Sequence, residues 1–119
     1  MIGIDLIEVD RFDRALERRP RLADRVFSEG ELAYARSRRR PAMHLAARFA
    51  AKEAALKALG IGGLGLGDVE VTGGDREPPV LRLHGRAAGA AREQGVELAV
   101  SLTHTRETAA AVVIARPLA

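Results

Sequence analysis

The segment Pro41 to Leu59, PAMHLAARFAAKEAALKAL, constrains the fold more than any other part of the chain. Pro41 suits a first helical position, where a missing N–H costs nothing, and Gly60 stands where a helix stops. At about 100° per residue, Leu45, Phe49, Leu56 and Leu59 form one apolar stripe. Lys52 falls inside that stripe and Glu53 on its edge. The opposite face, Ala47, Ala51, Ala54 and Ala58, is small enough for another element to pack closely. The helix is therefore expected to be covered on two sides, with charges beside its buried face.

Those charges are unusual for this chain. Lys52 and Lys57 are its only lysines; every other basic residue is arginine. A buried charge is costly unless paired, hydrogen-bonded or metal-bound. Glu53 and Lys57 stand four apart and attract, whereas Arg48 and Lys52 stand four apart and repel. Each such pair is worth only about 0.2–0.5 kcal/mol, so helix stability does not demand them. Two adjacent cations near an apolar stripe point to an anion from outside the sequence. The competing expectation is that Lys52 snorkels to water and that Glu53 with Lys57 is an ordinary surface pair.

The remaining segments are read as one domain over residues 1–119. Ile2 to Ile7 is a strand. Glu8 to Arg19 is a helix with Val9, Phe12 and Leu16 on one face, ended by Pro20. Ser28 and Glu31 form a capping-box pattern, so a short helix starts at Glu29. Arg38 to Arg40 is a charged loop, and Gly60 to Gly67 is a glycine-rich loop. Val69 to Val71 and Val80 to Leu83 are strands around a Gly73-Gly74-Asp75 turn. Arg86 to Glu93 is a helix ending at Gly95. Leu98 to Leu102 and Ala109 to Ile114 are strands of a hairpin joined by THTRET. The order is β-α-α-α-β-β-α-β-β, an α+β fold with a mostly antiparallel sheet packed against one long helix.

Composition removes several functions. The chain has no cysteine, which excludes disulfides, zinc-thiolate sites and thiol catalysis. Its charge-free stretches fall short of the roughly 18 residues a membrane span needs. The N-terminal MIGIDLIEVD has acids where a signal peptide has basic residues. A cytoplasmic protein without membrane contact is the expectation. Arginines cluster at Arg18, Arg19, Arg21 and Arg25 and again at Arg36, Arg38, Arg39 and Arg40. Such a patch attracts an acidic partner: nucleic acid, an acidic protein or a polyphosphate. Aromatic residues are only 3% of the chain, and no nucleic-acid reader motif occurs, which weighs against base stacking.

Three other places carry candidate chemistry. In the first strand Ile2, Ile4 and Leu6 point one way, and Gly3, Asp5 and Ile7 the other. An acid in a buried strand needs a partner, and one carboxylate from a strand with one from a helix would make a magnesium site if phosphate oxygens and water fill the remaining positions; alternatively, Asp5 only caps the next helix. The glycine-rich loop is neither a Walker loop nor a dinucleotide fingerprint. It is a connector, or a backbone surface lying against a ligand. His104, in SLTHT, is structural, or donates a hydrogen bond to phosphate. No nucleophile elbow is present.

Together, IGIDLIEVDR, ARFAAKEAALKALG and SLTHTRETAAAVVIA resemble the holo-acyl-carrier-protein synthases, the small class of 4′-phosphopantetheinyl transferases. The resemblance covers nearly the whole chain. It implies transfer of the 4′-phosphopantetheine arm from coenzyme A to a serine of an acyl carrier protein, with magnesium, releasing adenosine 3′,5′-bisphosphate. It also implies a homotrimer with active sites between subunits. By that resemblance Asp5 and Glu53 are metal ligands, and Lys57 lies near the coenzyme A phosphates, with Lys52 beside it. Arg48 and His104 lie near the nucleotide and its 3′-phosphate, with Thr105 adjacent. Gly60 and Gly62 belong to the loop beside the adenine, and Pro79 to the turn before a strand. Arg11, Arg18 and Arg21 dock the carrier. Asp5, Glu53 and Lys57 carry the catalysis.

The chain departs from the family pattern in three places. Many relatives have two or three more residues before Asp5. The loop reads GIGGLGLG where relatives often show GTGI. Pro78 replaces a common lysine, so one cation near the ligand is either missing or supplied by Arg76 or Arg82. Fatty-acid and polyketide carriers both remain open as substrates. A catalytically silent carrier-binding homologue is the alternative reading; an arginine-rich nucleic-acid-binding domain is a more remote one.

Overall fold

The long helix, here α4 (Pro41–Leu59), runs for 19 residues, roughly 28 Å at 1.5 Å per residue. It passes through the middle of a molecule measuring 39 × 28 × 22 Å. A computed structural model describes residues 1–62, 65–74 and 76–118. Gly63 and Leu64 of the glycine loop, and Asp75 of the expected turn, lie outside the described residues. At the end of α4 Gly60 takes φ 71°, and the N–H of Ile61 reaches back to the carbonyl of Leu56 at 3.0 Å. That bond satisfies one of the helix's free carbonyls and fixes the stop.

In chain order, β1 (Ile2–Glu8) leads into α1 (Val9–Arg18), α2 (Pro20–Val26) and α3 (Glu29–Arg36), then α4. A 3-10 turn (Leu66–Asp68) precedes β2 (Val69–Thr72) and β3 (Val80–Leu83), followed by α5 (Gly85–Gln94), β4 (Val96–His104) and β5 (Thr108–Pro117). The α+β class and the packing of a sheet on one long helix match the sequence reading. One helix was not foreseen. Pro20 does end α1, but it also occupies the first position of α2. Proline cannot continue a helix, yet it is well suited to begin one. The capping box at Ser28 and Glu31 is present in both directions, at 2.9 and 3.1 Å.

The strands form an antiparallel sheet of order β1-β5-β4 and a separate antiparallel pair, β2-β3. The hairpin strands β4 and β5 extend beyond the segments read from the sequence, because pairing continues from His104↔Ala109 to Val96↔Pro117. The inner face of the sheet carries Gly3, Ala109, Ala111, Val113 and Ala115, all buried. It lies on the alanine face of α4. A Cβ on Gly3 would stand 1.9 Å from the carbonyl oxygen of Ala54, so only glycine allows β1 to approach this closely. The outer face is different. Ile2, Ile4 and Leu6 are 66%, 68% and 69% exposed, and Ile114, opposite Ile2, is 49% exposed.

Candidate active site

Residue 5 faces α4 because residue 3 must. Strand alternation puts Asp5 on the same side as Gly3, with its side chain only 16% exposed. Lys57, one turn past Glu53, donates to Asp5 Oδ1 at 3.0 Å and to the carbonyl of Ile4 at 3.0 Å. The second oxygen, Asp5 Oδ2, is buried and has no hydrogen-bond partner among the described residues. Glu53 adjoins this cluster. Burial, and then the charge of Asp5, raises its carboxyl above the ordinary 4.5, with Lys57 pulling the other way. A carboxyl whose charge burial and an acidic neighbour disfavour, beside a carboxylate with a buried oxygen that no described residue bonds, is suited to share a cation with it.

The donor set fits a hard divalent ion. Among the described residues no three acidic or histidine side chains converge, so a cation held by Asp5 and Glu53 must complete its shell with oxygens of a ligand and water. That is how magnesium is commonly held beside phosphates.

A second cluster lies on another side of α4. Arg48 stands nine residues before Lys57, about half a turn away around the helix. It lines a pocket with Tyr34, His44, Pro78, Pro79 and His104. Arg48 is 3% exposed. It donates to the carbonyl of Gly73 at 3.0 Å and lies 4.0 Å from the centre of the Tyr34 ring. Its Nε is buried without a partner among the described residues. His104 projects from β4 with its ring 5.7 Å from that of His44. Arg76 lines a depression that shares Tyr34 with this pocket, and Arg82 acts on Glu70.

Lys52 joins neither cluster. Its ammonium is 1% exposed and forms an ion pair with Glu31 Oε1 at 2.8 Å. It also donates to the carbonyls of Val69 and Leu66. All three of its protons therefore have acceptors inside the protein. The sequence-based expectation of a phosphate contact is corrected here: Lys52 neither snorkels to water nor turns toward a ligand. Burial pushes its ammonium below the ordinary range; Glu31 is the chief opposing influence. Glu31 in turn accepts the backbone N–H groups of Ser28 and Val71. Its capping role was visible in the sequence; its pairing with Lys52 was not.

The other candidates are dispersed. The hydroxyl of Thr105 accepts from the N–H groups of Glu107 and Thr108, so it is engaged in closing the β4–β5 turn. Gly60 lies at the Lys57 end of α4, where a Cβ would meet Met1 at 3.6 Å, and Gly62 faces open space. Arg11, Arg18 and Arg21 are exposed on α1 and α2. Arg11 borders a shallow depression with Leu6, Phe12 and Ala15. Tyr34 and His44 were not singled out from sequence; His44 stands four before Arg48 on α4, whereas Tyr34, on α3, carried no signal. No helix among the described residues is long and apolar enough to cross a membrane.

A family model described as the 4′-phosphopantetheinyl transferase superfamily matches residues 1–113. The holo-[acyl-carrier-protein] synthase of Moorella thermoacetica is 51% identical over 118 residues, covering 94% of this chain and 90% of that one. Among solved structures, the acyl carrier protein synthase of Mycobacterium tuberculosis is 35% identical with a TM-score of 0.79, covering 98% and 96%. The Chronobacterium ammoniagenes ACPS–CoA complex is 30% identical with a TM-score of 0.86, covering 99% and 97%. Likeness of this depth over nearly the full length means that the chain belongs to the 4′-phosphopantetheinyl transferase superfamily, within its holo-[acyl-carrier-protein] synthase family.

Proposed function

We propose that the chain transfers the 4′-phosphopantetheine arm of coenzyme A to a serine of an apo-acyl carrier protein, with magnesium, releasing adenosine 3′,5′-bisphosphate. The observation that carries this is the pairing of Asp5 and Glu53 beside Lys57, with Asp5 Oδ2 buried and unpartnered. Asp5 and Glu53 would hold the metal. Magnesium, when bound there, supplies charge neutralisation to the diphosphate. The serine oxygen forms a bond to the β-phosphorus as the bond to the α-phosphate bridge breaks, and the bisphosphate leaves with that electron pair. Lys57, exposed at its tip, faces the leaving phosphate and stabilises its growing charge. The serine proton passes to Glu53 or to a water beside Asp5.

The separation of the two clusters supports a site shared between subunits. A helix with its side chains is about 10–12 Å across, so Lys57 and Arg48 of one subunit face different ligand spaces. The exposed stripe of Ile2, Ile4, Leu6 and Ile114 supports a homotrimer in which β1 and β5 meet a neighbouring copy. One subunit would then bring the carboxylates, and its neighbour Arg48, Pro79 and His104. The outward arginines on α1 and α2 would dock an acidic carrier.

The test is transfer from coenzyme A to purified apo-carriers, read by the mass added to the carrier, with magnesium and with chelator. Conversion that needs magnesium and disappears in Glu53→Gln is expected. Undiminished conversion in that variant would refute the reading. Sharing is tested by mixing Glu53→Gln subunits with Arg48→Ala subunits after dissociation. Recovery of part of the lost activity is expected, and none at all would place both clusters in one subunit's site.

A further inference from the structure

The Arg48 pocket holds one side chain to which the proposed reaction gives no role. His44 lies one turn before Arg48 on α4, half-buried, with its ring 5.6 Å from Tyr34 and 5.7 Å from His104, both edge-on. Four groups face it: Tyr34 from α3, Arg38 from the segment after α3, Arg48 from its own helix, and His104 from β4. His104, Arg48 and Arg38 all disfavour a positive charge on its ring. Burial first, and then those neighbours, hold the imidazole below its ordinary range. Arg48 supplies an independent sign of a missing anion: it is 3% exposed, lines the same pocket and keeps a buried Nε without an acceptor.

A dianionic ligand would reverse this balance. Placed among Arg48, His104 and His44, it offsets the cations and offers an acceptor to each ring N–H. We propose that His44 is a further anion-binding residue of this pocket and takes up a proton when a nucleotide phosphomonoester enters. Coenzyme A would then bind more tightly as pH falls toward 6. The inference rests on the reading that the 3′-phosphate of coenzyme A occupies this pocket. His44 acts there as a specificity residue: it favours ligands that carry the phosphomonoester over those that lack it.

The experiment is titration calorimetry of the magnesium-loaded protein with coenzyme A and with 3′-dephospho-coenzyme A, in buffers of different ionisation enthalpy, from pH 6 to pH 8. Wild type, His44→Gln and His44→Phe are compared; glutamine keeps polarity and phenylalanine keeps ring packing. The phosphate itself titrates near pH 6, but that contribution is common to all three proteins and drops out of their difference. Wild type is expected to take up more protons than either variant on binding coenzyme A. Its affinity advantage should be about tenfold at pH 6 and shrink to about twofold or less at pH 8. With 3′-dephospho-coenzyme A no such difference is expected. Equal proton uptake and parallel pH profiles would overturn the proposal, as would an equal loss for both ligands, which would mark His44 as merely structural. If wild type binds the two ligands equally well, the placement of the 3′-phosphate itself falls. That outcome is distinguishable because it appears before any variant is made.

Discussion

Replacing Lys52 by methionine separates a structural cation from a ligand-binding one. Methionine is close in shape and adds no polar group. At the 2.8 Å separation from Glu31 and an effective dielectric of about 20, the direct attraction is about 6 kcal/mol, much of it offset by desolvation of both ions. Removing one partner leaves the other charge uncompensated, which costs about 3–5 kcal/mol. Glu31 keeps its two backbone donors, from Ser28 and Val71, while the carbonyl of Val69 loses its ammonium. At about 2.1 cal/mol/K per residue, the 119 residues have an unfolding entropy near 0.25 kcal/mol/K, so Tm should fall by about 12–20 °C. The double variant Glu31→Gln with Lys52→Met should recover at least about 1.5 kcal/mol of the summed single losses, the mark of coupled groups. The assays are thermal melts for Tm and urea unfolding for the free energies, at fixed protein concentration, since oligomer dissociation is linked to stability. Below the melting range, the KM for coenzyme A should stay within about threefold of wild type. A Tm within about 2 °C of wild type, together with a large rise in that KM, would refute the structural assignment and return Lys52 to the ligand.

Other perturbations follow from the same geometry. Gly3→Ala pushes a methyl against the Ala54 carbonyl, 1.9 Å away before relaxation. It should cost about 1–3 kcal/mol or more and weaken magnesium binding, measured by melting with and without the metal. Glu53→Gln should abolish transfer and also flatten the pH dependence of stability of the metal-free protein. Because the folded-state pKa of Glu53 is raised above 4.5, the folded form holds its proton longer; its stabilising effect is full below 4.5 and is lost as pH rises through the folded value. Thermal melts from pH 4 to pH 7 read that slope, and an identical slope in the variant would contradict it. Reversing Arg11, Arg18 and Arg21 to glutamate should raise the carrier KM far more than the coenzyme A KM and weaken its salt dependence.

What could be read from the chain was whatever local rules decide. The bounds of α4 follow from Pro41 and Gly60, and the start of α3 from Ser28 and Glu31, because caps act within a few residues. The place of Lys52 in an apolar helical stripe was legible, although that alone left burial and snorkelling to water both open. Its partner did not, because Glu31 lies on another helix and periodicity carries no information about which elements meet. Helix α2 was hidden by treating Pro20 only as a terminator. The meeting of Asp5 with Lys57 and Glu53 was implied by the family resemblance, but its physical cause, the bare Gly3 against Ala54, requires the packing. Tyr34 and His44 escaped for the same reason as Glu31: their chemistry arises between α3, α4 and β4, not along any one of them.

The buried pair also bears on the ligand pocket, through position. Glu31 and Tyr34 stand three apart on α3, hence on neighbouring parts of one face. Lys52 ties Glu31 to α4, and Glu31 ties α3 to β2 through the N–H of Val71. Tyr34 is thereby held against Arg48, and the rings of Tyr34, His44 and His104 are brought into contact. The chain's two lysines thus have opposite relations to the anion. Lys57 stands exposed beside the carboxylates and can meet it directly. Lys52 never reaches it, yet fixes the helix and strand that frame the place where Arg48 and His44 would.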